Sequence, residues 1–174
     1  AAELFDRAGK TDKRDLYYRS FVDAGLGRLR NLLALKDADQ NILQTQFIEL
    51  YGGIQTHALE SVTVIDQSNY LNWLTLARVY EAVVPLKVSG SYETAKSAYN
   101  EAAKRAPKNP FIPLSMARLE LSQGNSEAST TFIEKSLALK SNYAAALFLR
   151  AQMAVQSGDI KKAREDIELA LVSN

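Results

Sequence analysis

The stretch SGSYETAKSAYNEAAKRAPKNP, residues 89–110, is echoed twice downstream, and the echo decides the fold. Gly90, Gly124 and Gly158 follow one another at intervals of 34 residues. Laying them in register aligns Ala95 with Ser129 and Ala163, then Ala102 with Ser136 and Ala170. Two helices cross closely only where side chains are short. Small residues at fixed offsets from a recurring glycine therefore mark a repeated helical hairpin.

Composition agrees with an all-helical chain. Ala, Leu, Glu, Lys and Gln fill long stretches of the 174 residues, with four prolines, eight glycines and no run of period-two alternation. With 47% of residues apolar and 24% charged, the chain can bury a real core as one soluble domain. A formal net charge of +1 supplies no field to gather nucleic acid or anionic lipid. The clusters Arg28/Arg30 and Lys161/Lys162/Arg164 read as solvated helix faces. There is no cysteine, which excludes disulfides and thiolate chemistry. No apolar run approaches the ~18 residues of a membrane span, and no signal peptide is visible. The chain starts at Ala1, which reads either as processing or as a cut from something longer.

Apolar residues recur at helical steps through Leu16, Tyr17, Phe21, Ala24, Leu29, Leu32 and Leu33, and again from Leu43 through Phe47, Leu50, Tyr51, Ile54, Ala58 and Val62. Between the two runs, KDADQN supplies turn formers and a cap in Asp39. Asn109 is placed to cap a helix beginning at Pro110, and Asp159 to cap the last helix. The whole reads as a train of antiparallel helix pairs.

Within that train, Trp73, Leu76, Ala77 and Tyr80 form W-x2-L-A-x2-Y, and Gly90, Tyr92, Ala95, Tyr99, Ala102 and Pro107 continue as G-x-Y-x2-A-x3-Y-x2-A-x4-P. This resembles the tetratricopeptide repeat, a 34-residue helix-turn-helix unit. The resemblance implies a right-handed α-solenoid, all-α, built from antiparallel pairs. Residues 1–12 then form the end of a truncated helix and 13–69 a divergent hairpin; 70–109 are a repeat with a six-residue insertion, followed by repeats at 110–143 and 144–174. The final helix, with Ile160, Ile167, Leu171 and Val172, has no polar capping helix after it. That end is read either as truncation or as a docking face, with a homodimer as its consequence. The hairpin carrying DLYYRS, with the stretch from Asn69 to Pro110, also resembles the repeat domain at the carboxyl end of bacterial membrane proteins related to O-antigen ligases and polymerases. It implies a soluble domain outside the membrane, with any transferase chemistry in the membrane part.

Nothing in the sequence points to catalysis or to a cofactor. His57 is the single histidine and sits beside Ala58 and Leu59, and no second histidine or cysteine completes a metal site or a nucleophile–base pair. SGSYETAK lacks the G-K-[ST] of a phosphate-binding loop. A binding role is the expectation. The resemblance puts the first helices of successive units on the concave face, with a row formed by Leu71, Leu74, Arg78, Glu81 and Ala82, then Phe111, Leu114, Arg118, Leu121 and Ser122, then Ala145, Phe148, Gln152, Val155 and Gln156. The residues singled out for partner binding are Leu74, Arg78, Glu81, Phe111, Leu114, Arg118, Phe148 and Gln152. Arg78 and Arg118 occupy equivalent places, where either their guanidinium forks share a carboxylate, phosphate or acidic peptide, or Arg78 pairs with Glu81 and Arg118 is solvated. The Lys/Asn pattern that clamps a chaperone tail is absent, its positions holding Leu74 and Arg78.

Two further readings stay open. The insertion EAVVPLKVS, residues 81–89, is apolar for a loop, so Val83, Val84, Leu86 and Val88 must be buried, either against the neighbouring hairpin or by a partner. The alternative to protein or peptide binding is a small-molecule or glycan site, for which Tyr17, Tyr18, Trp73 and Tyr80 are the stacking surface.

Overall fold

The computed structural model describes the backbone of residues 2–35 and 39–172, and the side chains of residues 15–35 and 39–172. Among these residues every regular element is helical: α1 (Ala2–Leu33), α2 (Gln40–Glu60), α3 (Tyr70–Glu81), α4 (Ser91–Arg105), α5 (Phe111–Ser122), α6 (Ser126–Leu139), α7 (Ala144–Ser157) and α8 (Ile160–Leu171). Consecutive helices pack as pairs, α1 with α2, α3 with α4, α5 with α6 and α7 with α8. Residues 2–12, read from the sequence as the end of a truncated helix, are the first part of α1.

Caps fall where the sequence puts them. Asp39 accepts from the amides of Asn41 and Ile42, Asn109 from that of Phe111 and Asp159 from that of Lys162, each meeting a donor that the first helical turn leaves open. Gly90, Gly124 and Gly158 have φ of 73°, 78° and 83°, all in the left-handed region. At the ends of α5 and α7 the closure is the same. Asn125 and Asp159 reach back to Glu120 O and Ala154 O, while Gly124 and Gly158 bond Leu121 O and Val155 O. Gly124→Ala is expected to cost about 1 kcal/mol through the left-handed backbone, read as a lower urea midpoint with an unchanged slope.

The chain divides into two compact units, Ala1–Arg105 and Ala106–Asn174. In the first, Val22, Leu26 and Leu29 of α1, Ile54 and Ala58 of α2, Leu76, Ala77 and Val79 of α3, and Ala95, Tyr99 and Ala102 of α4 are buried. The approach of α1 to α2 is tight at Gly25, where a Cβ would lie 3.0 Å from Ile54 Cγ2. After Glu60 the helix widens into a π turn, Ser61–Ile65, closed by Asp66 N–H donating to Ser61 O over 3.1 Å. The fully buried Asn72 holds this turn. Its Nδ2 donates to Ser61 O and Asp66 O, both at 2.9 Å, and its Oδ1 accepts from Arg19 Nη1, which also pairs with the buried Asp15. Burial also pushes the Tyr51 hydroxyl up to about 12.

The insertion in this unit divides into two parts. Val83 and Val84 are buried within the unit, whereas Leu86 and Val88 are 45% and 36% exposed, so the neighbouring helices cover only the first two of the four. Pro85 lies in a single 3-10 turn, Val84–Leu86, which Lys87 ends with a φ of 56°. The proline ring blocks continuation of α3 and turns the later residues outward.

In the second unit, Leu114 and Ala117, Ile133 and Leu137, and Ala146, Leu147 and Ala170 form one core cluster. The repeat positions act as spacers there. Ser129, Ser136, Ala163 and Ala170 are all buried, and Ser136 Oγ donates to Pro110 O at 2.7 Å. Across the α7–α8 pair, Arg150 donates to both oxygens of the buried Asp166, at 2.8 and 2.7 Å, and to Glu134 at 2.8 Å. The two carboxylates, Asp166 first, raise the affinity of the Arg150 guanidinium for its proton and fix it as a cation.

Candidate functional site

In the first unit α1 and α3 lie side by side, and their adjoining residues line an open cleft of about 230 Å3. Its lining brings Arg78, Glu81 and Ala82 of the expected row together with Leu26, Leu29, Arg30 and Leu33 of α1. Leu26 and Leu29 are buried and make an apolar floor, and Arg30 is exposed. Leu74 does not take part as a surface, being only 9% exposed.

Arg78 is not paired with Glu81, the local partner considered from sequence. Its Nη1 donates to Asp23 Oδ1 across 2.7 Å, a contact 55 residues distant in the chain. Glu81 instead accepts a hydrogen bond from the Tyr99 hydroxyl, which the register of α4 carries to it. The Arg78–Asp23 pair is partly exposed, at 36% and 53%, so it contributes no more than ~1 kcal/mol and leaves other N–H groups of the fork available. The cleft thus combines leucine side chains with guanidinium groups at one place. Asp23, Leu26, Arg30 and Leu33 were missed in the sequence because the part of α1 that carries them has none of the repeat signature. Their spacing of three and four residues was the one available signal.

In the second unit Arg118, Phe148 and Gln152 are exposed, Phe148 to 47%, and Phe111 is half-buried. Leu114 lies in the core at 1% exposure, so it supports α5 and presents nothing to a partner. A second, polar groove runs along Ser126, Thr130, Glu134, Arg150, Met153 and Lys162. The donors of Arg150 there are already engaged by Asp166 and Glu134.

The aromatic residues weighed as a ligand platform are mostly engaged in packing. Trp73 Nε1 donates to Gln67 O at 2.8 Å beneath the guanidinium of Arg105, and the Tyr80 hydroxyl accepts from Gln55. Tyr18 sits edgewise to Tyr17 and against His57, whose ring stacks on Phe21 with centroids 4.0 Å apart. His57 Nδ1 lies 2.9 Å from Gly53 O, within its own helix. Tyr17, 60% exposed, is the member of the set that stands in solvent. Among the described residues no helix is long and apolar enough to cross a membrane, and no group of three or more His, Asp or Glu side chains is placed to hold a metal ion. Neither a protein-family model nor a curated protein matches the chain significantly.

Proposed function

We propose that this chain is a non-catalytic tetratricopeptide-type scaffold, a right-handed α-solenoid of antiparallel helix pairs that binds a protein or peptide segment on the face formed by its first helices. The recurrence supports the repeat. Glycines at a step of 34 residues share one backbone conformation, and the residues aligned with Ala95 and Ala102 are all buried. The observation that carries the binding role is the cleft between α1 and α3, where an apolar floor meets Arg30 and Arg78. A segment that fits it pairs an apolar side chain with a carboxylate. The parent consistent with the resemblance of the 13–110 stretch is an envelope-glycan ligase or polymerase, with this domain outside the membrane. A glycan or small-molecule site is not carried further, because only Tyr17 of the four stacking aromatics stands well exposed.

Selection of displayed random peptides against the folded chain tests this reading. The expected binders contain an acidic group next to an apolar residue, and they lose about tenfold or more in affinity with Arg78→Glu, the scale of one charge-assisted hydrogen bond. Selection that yields no peptide above background, or binders indifferent to both Arg78→Glu and Phe148→Asp, would overturn it.

A further inference from the structure

Helical spacing sets Glu81 one turn beyond Arg78, where an ion pair within α3 would form. Glu81 accepts the Tyr99 hydroxyl, and Arg78 reaches across to α1, where its Nη1 donates to Asp23 Oδ1 at 2.7 Å. Asp23 precedes Leu26 by one turn and Arg30 by two, so it stands on the face of α1 that lines the cleft. A carboxylate of the protein itself thus already holds a place on Arg78 that a bound carboxylate would take.

Two carboxylates share one guanidinium only at a cost. A ligand that takes Nη1 displaces Asp23, and one that takes the opposite edge of the fork brings a second negative charge to the same group. Displacement is still feasible, because the Asp23 side chain is 53% exposed and returns to water when released. Resting on the reading that the cleft binds an acidic, apolar segment, we propose that Asp23 is a built-in competitor for Arg78 that sets the specificity of the site. A carboxylate wins Arg78 only when an apolar side chain settles on Leu26 and Leu29 with it, so small anions that lack one are turned away. A partly exposed ion pair is favoured over its open form by about 1.4- to 5-fold. The open form is then between about two-fifths and one-sixth of the population, and removing the competitor tightens binding of an acidic segment by about two- to sixfold.

The probe is a blocked pentapeptide with glutamate between two leucines and serine at each end, and its control carries glutamine in place of the glutamate. Each is titrated into the intact chain and followed by NMR, with leucine methyl and arginine Nε–H signals as reporters and the amide spectrum as the check that every variant is folded. Asp23→Asn is expected to bind the glutamate peptide about two- to sixfold more tightly than the wild type and the glutamine peptide with unchanged affinity. In an Arg78→Gln background the gain from Asp23→Asn disappears, since there is no guanidinium left to compete for. Suppose the wild type binds the glutamate peptide through Arg78, yet Asp23→Asn leaves the affinity unchanged or lowers it. The competitor is then wrong while the cleft remains a binding site. A gain that is equal for both peptides, or that survives Arg78→Gln, also overturns the proposal. Absence of binding to the wild type and to Asp23→Asn alike removes the cleft as a site, and the proposal falls with it.

Discussion

Replacing Arg150 by alanine is expected to lower the unfolding free energy by about 3 kcal/mol, with measurement by urea titration of the intact chain. The magnitude follows from what stays behind. Asp166 is 2% exposed and takes two of its hydrogen bonds from Arg150, so truncation leaves a buried carboxylate facing only Lys162 at 3.7 Å. The loss sits at the low end of the usual 3–5 kcal/mol range for breaking a buried ion pair, because the Arg150 side chain is itself 20% exposed and water can re-enter. Arg150→Met combined with Asp166→Leu should recover most of the loss, since an apolar pair leaves no uncompensated charge. If Arg150→Ala alone costs under about 1 kcal/mol, the pair behaves as a surface contact and its role in joining α7 to α8 is wrong.

The second large effect belongs to Tyr99. Its ring is fully buried between the helices of the first unit and its hydroxyl donates to Glu81. Tyr99→Ala is expected to cost about 3–5 kcal/mol, the cost of deleting a large buried ring and leaving a cavity. Tyr99→Phe should cost only about 1 kcal/mol, the net worth of one hydrogen bond. Thermal melts of the two variants separate packing from polarity. The positions 34 and 68 residues on, both in the second unit, are Ile133, fully buried, and Ile167, 39% exposed. The large penalty is therefore expected at Tyr99 and Ile133 and a smaller one at Ile167.

That contrast shows how much could be read from the chain. The interval between glycines, the small residues at Ala95, Ser129 and Ala163, and the caps Asp39, Asn109 and Asp159 are local signals, and local rules suffice to interpret them. Burial at Leu74 and Leu114 was not local. Both occupy row positions by spacing, yet each turns toward the core of its unit, which depends on the rotation of the helix against neighbours far away in sequence. The partner of Arg78 was hidden for the same reason. Asp23 lies on a helix without the repeat signature, and Glu81, one turn away, was the obvious candidate until Tyr99 was seen to occupy it. The π turn and its clamp by Asn72 left no pattern at all, because a single buried amide has no periodicity.

The turn at Pro85 and Lys87 has one more consequence. The Ala82 and Val83 amides already close the end of α3 by bonding Arg78 O and Tyr80 O, and at the head of α4 the Thr94 amide bonds Gly90 O. Neither helix relies on an unbroken peptide chain between Leu86 and Val88 for its own hydrogen bonds. With Leu86 and Val88 exposed, this is where limited proteolysis of the first unit is expected to cut, and a nick there removes none of these helix-end hydrogen bonds.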